Sequence, residues 1–374
     1  MQYDQVTDAG NDWPVANRLF DPQKAIKLYQ EYIDNKVYAE ECGFDWIACN
    51  EHHMSPYGMM PNPNLIGAVV ADRTSRAGIL QSGNILPINN PVRVAEEYAM
   101  IDVISGGRLV AGFMRGIPHE YVAYNADPDE SYDRMYEAVD LIKKCWSEPE
   151  PFGWEGEFYQ FRAVSIWPRL VQNMPTIVMS GGSDLSSELC AAHRSVMGVL
   201  RIPSIDYAKG KIDDFKERCV RHGWEPGPEH VMVAQQCVIS KTFEEAKKIL
   251  EESISYGNRV LMGGQRTAQR LVLQKTRYFK NKDQAEEREK RLSDFKELTT
   301  EERVERGLVI CGTPEMAAEQ ISNLHEQTGN GILNIACKIG NISNSAVRRS
   351  LEYLGNEVFP KVRHLGDTDQ VAAE

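Results

Sequence analysis

Phe44-Asp45-Trp46-Ile47-Ala48-Cys49-Asn50 runs directly into Glu51-His52-His53. A short apolar run that ends in two imidazoles and a carboxylate reads as a parallel strand with chemistry at its mouth, where α/β enzymes carry their reacting groups. Side chains alternate along an extended segment, so one histidine faces a central cavity and the other turns into packing or hydrogen bonding. One imidazole is a candidate acid/base, and the other is its structural neighbour.

Outward from this stretch, helices and strands alternate. A helix ends near Cys42, the strand covers 44–50, a helix runs from Asn64 to Ser75, and an apolar strand runs from Gly78 to Leu86, which is a βαβ unit. Pro91 opens a helix over Val92 to Ile104, Gly106-Gly107 stops it, and the strand Leu109 to Met114 follows. A helix over 131–146 precedes a small hairpin turning at Trp154-Glu155-Gly156-Glu157. Further strands are expected at 176–180, 196–202, 231–239 and 332–339, separated by helices near 184–193, 205–222, 242–256 and 314–328. Strands joined mostly by helices predict a parallel sheet in one α/β domain over 1–374. The strand count favours a (β/α)8 TIM barrel over an open doubly wound sheet, since no glycine-rich turn follows the first strand with an acidic residue beyond it. Residues 266–306 break the rhythm as a polar helical insertion, basic from Arg266 to Lys282 and of mixed sign from Asp283 to Arg306. That pattern predicts a solvated face, with a lid over the site as the alternative.

Composition narrows the partners. The 374 residues carry a formal net charge of −12, which disfavours nonspecific nucleic-acid binding and attraction to anionic membranes and leaves small organic molecules as the expected substrates. The eight cysteines, at 42, 49, 145, 190, 219, 237, 311 and 337, form no CxxC pair and no zinc spacing, so no metal site is expected and reduced core thiols are. No basic-then-apolar leader opens the sequence, and no apolar run approaches the roughly 20 residues of a membrane span, so cytoplasm is the expected location.

Three further places carry possible chemistry. Arg115 follows an apolar strand, where a guanidinium can bind a phosphate bidentately or make an ordinary ion pair. Gly181-Gly182-Ser183-Asp184-Leu185-Ser186-Ser187 lies between a strand and a helix; its N–H groups and hydroxyls can cradle an anion, while Ser183 or Asp184 can simply cap the helix. Asp184 is expected to point away from any such anion. Gly83-Asn84 interrupts an apolar strand, as a close approach for a ligand or as a bulge. Tyr121 and Tyr124 are expected in a loop after Arg115, packed or reaching towards a ligand.

Taken in order, Gly43-Phe44-Asp45 with Glu51-His52-His53, then Asn90-Pro91-Val92-Arg93-Val94-Ala95-Glu96-Glu97, then Leu109-Val110-Ala111-Gly112-Phe113-Met114-Arg115-Gly116 and Ser180-Gly181-Gly182-Ser183 resemble the bacterial luciferase-like flavin-dependent monooxygenase family. Cys311-Gly312-Thr313-Pro314-Glu315-Met316-Ala317 extends the resemblance to nearly the whole chain apart from 266–306. The resemblance implies a barrel that binds reduced FMN (FMNH2) at the C-terminal ends of its strands. The flavin reacts with O2, one oxygen atom enters an organic substrate, and the other leaves as water. A separate NAD(P)H-dependent flavin reductase supplies the reduced flavin.

The same resemblance makes His52 the histidine near the reacting edge of the flavin, with Glu51 supporting His53 or a neighbouring helix. It puts Arg115 on the FMN phosphate with Gly182, Ser183 and Ser186 around it, and Tyr121 within reach of the phosphate or over the flavin. The strand of Gly83 and Asn84 lies under the isoalloxazine ring, sometimes with an unusual peptide. The cavity near the ring is expected to be lined by His52, Met54, Tyr57, Met59 and Met60, which suits a small, largely apolar substrate. A homodimer is implied through the helices near 64–75 and 92–104, although Leu65, Val69, Met100 and Ile104 equally fit ordinary helix-to-sheet packing. Two departures stand out. Met114 occupies the place of a reactive cysteine in luciferases, so light emission is not expected, and the polar start leaves a first strand short or partly missing. An F420-dependent oxidoreductase and a nonenzymatic flavin-binding protein are the alternatives on the same fold.

Overall fold

The computed structural model describes residues 13–54, 56, 57, 59–200, 203–262, 268–270, 272, 276 and 298–366. The expected first strand lies outside the described residues, as does most of the 266–306 insertion. The chain divides into two compact units, with the boundary after Val178.

The unit up to Val178 contains helix α1 (Pro22–Glu41), strand β1 (Trp46–Cys49), α2 (Pro63–Arg73), β2 (Gly78–Gln81), β3 (Asn84–Ile85), α3 (Pro91–Ser105), β4 (Leu109–Met114), α4 (Pro118–Tyr124), α5 (Ser131–Ser147) and a two-stranded antiparallel hairpin, β5 (Phe152–Glu155) with β6 (Gln160–Val164). β1 pairs in parallel with β2 from Trp46↔Gly78 to Cys49↔Gln81, and β2 with β4 at Ile79↔Leu109 and Leu80↔Val110. The punctuation visible in the sequence forms these ends. The Asn90 side chain accepts from the N–H groups of Val92 and Arg93, Pro91 occupies the first turn of α3, and Gly106 at φ 69° closes it in the left-handed region.

The expected strand from Gly78 to Leu86 is two pieces. It breaks after Gln81, resumes at Asn84, and turns into a 3-10 helix over Leu86–Ile88. Tyr121 and Tyr124 sit on helix α4 rather than in a loop, because Pro118 opens it and Glu120 reaches back to the N–H of Ile117 at 2.7 Å. The core between α3, β4 and α5 stacks Tyr98 on Phe113 at 5.8 Å and both on Trp146 at 6.1 Å. Leu65 (69% exposed), Val69, Met100 and Ile104 do not pack on the sheet; they lie on the outer surfaces of α2 and α3, the two helices expected to meet a second copy.

The other unit carries the end of β7 (Thr176–Ser180), α6 (Asp184–Ala192), β8 (Val196–Val199), α7 (Ile205–Arg221), β9 (Val231–Ile239), α8 (Phe243–Tyr256), α9 (Thr300–Glu305), β10 (Val309–Gly312), α10 (Pro314–Thr328), β11 (Ile332–Ala336) and α11 (Asn344–Tyr353). Its strands are also parallel: β8, β10 and β11 all pair with β9. β10 has no counterpart in the sequence expectation, because its apolar run is only four residues long before Thr313 caps the next helix. All eight cysteines are free and seven are buried; burial pushes the Cys190 thiol up to about 12. Among the described residues no helix is long and apolar enough to cross a membrane, and no group of His, Cys, Asp and Glu could hold a metal ion.

Candidate active site

The alternation expected at the end of β1 is present. Glu51 and His53 are buried, and His52 between them is partly exposed. His53 uses both ring nitrogens: Nε2 lies 2.6 Å from Glu51 Oε1, and Nδ1 lies 2.9 Å from the Tyr124 hydroxyl. A carboxylate only accepts, so the proton sits on Nε2 and Tyr124 donates to Nδ1, an arrangement complete for a neutral ring. Glu51 Oε2 accepts the Ile85 N–H at 3.1 Å, and Asn89 Nδ2 donates to Oε1 at 3.3 Å. Glu51 therefore ties the end of β1 to β3 through its carboxylate.

His52 faces a different partner. Its Nδ1 lies 3.0 Å from Oε1 of Glu120, a fully buried carboxylate whose Oε2 accepts the Ile117 N–H at 2.7 Å. The backbone N–H of His52 donates to the Met60 carbonyl at 3.3 Å, and the Tyr57 ring lies 4.7 Å away, centre to centre. Nδ1 is the protonated nitrogen, since Glu120 only accepts. His52 Nε2 has no hydrogen-bond partner among the described residues, so it is the one nitrogen of the doublet available to a ligand. Of the other expected lining residues, Met60 is buried and Met54 is 51% exposed, while the Met59 carbonyl accepts from the Tyr29 hydroxyl.

His119, next to Glu120, is fully buried with the Trp13 ring edge-on at 5.7 Å. Burial lowers its pKa from 6.5 to about 4, against a smaller upward pull from Glu120. The folded protein thus holds this ring neutral, and as pH falls below 6.5 the unfolded chain takes up the proton first. The stabilisation is complete above that value and is lost as pH falls towards 4. Between pH 7.5 and 5 the loss should be on the order of 2 kcal/mol, at 1.36 kcal/mol per pKa unit. Urea midpoints at the two pH values check this; an equal fall in wild type and His119→Gln would show that the ring contributes none of it.

Gly83 sits where two backbones touch: a Cβ there would lie 2.5 Å from the Gly112 carbonyl oxygen and 2.7 Å from that of Gln81. The Ser82–Gly83 peptide is cis. Asn84 is buried, and its amide is spent on Asn64 in a reciprocal pair of 2.8 and 3.1 Å; Asn64 also donates to Glu97 at 2.6 Å. The side chain of Asn84 therefore joins β3 to α2, and its backbone N–H lies 3.5 Å from the Tyr98 hydroxyl.

Arg115 follows β4 directly. Its guanidinium lies 4.0 Å over the Tyr132 ring, and Nη1 donates to the buried Ser131 hydroxyl at 3.2 Å. Tyr121 is fully buried, and its hydroxyl donates to the Arg115 carbonyl, so it braces this corner from within. In the second unit, Ser183 caps α6. Its Oγ accepts the Ser186 N–H at 3.3 Å, and Ser186 Oγ accepts the Ser183 N–H at 2.9 Å. Both hydroxyls are thus committed to the cap. Asp184 pairs with Lys211 at 2.9 Å, and a Cβ on Gly182 would meet only Ser180 Oγ, at 3.9 Å.

Glu120 and His119 were not singled out from the sequence. Nothing in Pro118-His119-Glu120 announces a partner 68 positions earlier; a glutamate two residues after a proline signals only a helix start.

A family model described as luciferase-like monooxygenase matches residues 16–331. The oxygenase component of a flavin-dependent trigonelline monooxygenase from Acinetobacter baylyi is 27% identical over 63% of this chain and 66% of its own length. An uncharacterized protein of Sinorhizobium fredii is 37% identical over 32% of this chain and 36% of its own length, so the chain spans well under the full length of these relatives. Among solved structures, the oxygenating constituent of 3,6-diketocamphane monooxygenase from Pseudomonas putida, in complex with FMN, superposes with a TM-score of 0.71 at 21% identity over 89% of this chain and 93% of that one. An F420-dependent secondary alcohol dehydrogenase superposes with a TM-score of 0.68 at 14% identity over 90% and 95%. The α/β fold with its parallel sheet is thus that of luciferase-like TIM-barrel enzymes.

Proposed function

The chain belongs to the luciferase-like monooxygenase family, and from that premise we propose that it is the oxygenase of a two-component system, using reduced FMN and O2 to place one oxygen atom in a small, largely apolar organic substrate. The observation that carries this reading is the His52 imidazole at the end of β1, held at Nδ1 by a buried carboxylate and open at Nε2. An imidazole fixed in that way presents one nitrogen for proton transfer without first reorganising.

Reduced flavin, when bound, supplies the two electrons that activate O2. The residues fit such a group at separate places. The guanidinium of Arg115, levelled against Tyr132 and next to the Ser131 hydroxyl, suits a phosphate oxygen. Gly83 and Asn84 lie where β2 ends and β3 begins, and this break in the strand is the place proposed for the flat ring. A separate flavin reductase is the partner proposed with it, as the trigonelline relative's description as an oxygenase component suggests.

The test is an anaerobic titration with reduced FMN, oxidised FMN and F420, followed by mixing with oxygenated buffer. Tight binding of reduced FMN and consumption of O2 are expected. Arg115→Met should weaken reduced FMN by about tenfold or more, a charge-assisted bond being worth roughly 1.5–3 kcal/mol. Binding of F420 in preference to reduced FMN would replace oxygen insertion with hydride transfer, and unchanged FMN affinity in a folded Arg115→Met would return that arginine to an ordinary structural contact.

A further inference from the structure

We propose that Glu120 is the positioning residue of His52, fixing the imidazole proton on Nδ1 so that Nε2 is the acceptor presented to the reacting groups. The inference rests on the proposed acid/base role of His52.

Both oxygens of Glu120 are committed, one to His52 Nδ1 at 3.0 Å and the other to the Ile117 N–H at 2.7 Å. The carboxylate is fully buried, so its orientation is set by these bonds and not by solvent. It sits in the first turn of α4, where Pro118 fixes the backbone and the bond to Ile117 locks the side-chain rotamer. A rigid acceptor leaves one tautomer of His52, with the proton on Nδ1.

The second pair shows the contrast. Glu51 holds His53 through Nε2, and Tyr124 takes Nδ1, so that ring has nothing left to offer a reactant. Burial keeps the neighbouring His119 neutral, with its pKa lowered to about 4, so it adds no positive charge against Glu120 near neutral pH. Two carboxylate–histidine pairs thus stand side by side, and only the Glu120 pair leaves an open nitrogen.

Glutamine at 120 makes the idea sharp. An amide offers one acceptor where the carboxylate offers two, and the Ile117 N–H can only donate. The amide oxygen must turn to Ile117, which aims its NH2 at His52 Nδ1. That nitrogen then becomes an acceptor, and the proton moves to Nε2. A wrong-tautomer histidine costs about 10⁴-fold in a serine protease triad, so a loss of product formation of about 10² to 10⁴-fold is expected here.

The experiment uses the full chain labelled with 15N-histidine, with the His52 resonances assigned through His52→Gln. Wild type should show the proton on Nδ1, and Glu120→Gln should show it on Nε2 with product formation reduced. Glu120→Asp, which still only accepts, should keep the proton on Nδ1. Finding wild-type His52 protonated on Nε2, or a folded Glu120→Gln with the proton still on Nδ1, would overturn the assignment. The wild-type spectrum decides even where a variant does not fold. If the tautomer moves as expected while both Glu120→Gln and His52→Ala make product normally, the positioning stands and the acid/base reading of His52 fails instead.

Discussion

His52→Ala should lower product formation by about 10² to 10⁴-fold and leave the affinity for reduced FMN within about twofold, because general acid–base groups contribute on that scale while the proposed phosphate contacts lie elsewhere. The variant should still consume O2. Without a group to move the proton, the activated oxygen would leave as hydrogen peroxide, so the ratio of product to O2 consumed falls as peroxide rises. Loss of the ring also leaves Glu120 buried without its partner, which adds a stability cost that a melting curve will show. His53→Ala is the control. It removes bonds to Glu51 and Tyr124, and the buried Glu51 loses one acceptor contact. A cost of about 1–3 kcal/mol in stability is expected, with coupling close to wild type. Equal product yield and coupling in wild type and His52→Ala, measured with the true substrate, would make His52 a packing residue.

Local features were legible where a residue's own backbone preference or alternation decides the outcome. Asn90-Pro91 opening α3, Gly106 closing it, and the opposite facing of His52 and His53 are of that kind. What escaped was everything set by a distant partner. Asn84 looked available to a ring because it interrupts an apolar strand, yet Asn64 takes its amide from a helix 20 positions earlier. Ser183 and Ser186 kept both readings open, and the reciprocal bonds realise the cap. Leu65 and Met100 fall on apolar stripes that a periodic pattern would bury, and only the packing of α2 and α3 reveals that they face outward. Glu120 lay in a stretch expected as a loop, where the structure forms α4, and nothing in its sequence neighbours shows the bond to His52.

The largest structural effect should come from a single methyl group. Gly112→Ala places a Cβ 1.8 Å from the Gln81 carbonyl oxygen, 2.8 Å from its carbonyl carbon and 3.3 Å from Ser82 Cα. All three are backbone atoms, so no side chain can swing aside, and relief requires β2 and β4 to part. Parting them breaks more than one contact. The Gly112 carbonyl accepts the Tyr98 hydroxyl at 2.6 Å, and it lies 2.5 Å from where a Cβ on Gly83 would be. Gln81 is in turn the register partner of Cys49, three residues before His52, so a displaced β2 drags the end of β1 and its imidazole with it. A loss of at least about 4 kcal/mol is expected, in the range reserved for severe core damage. It should appear as little soluble protein or a sharply lowered denaturation midpoint. Gly210→Ala supplies the contrast, since Gly210 lies inside α7 with nothing within 4 Å of the added methyl. There the gain in helix propensity should stabilise the fold by about 0.5–1 kcal/mol. A Gly112→Ala protein within about 1 kcal/mol of wild type would mean that β2 and β4 do not approach as closely as described.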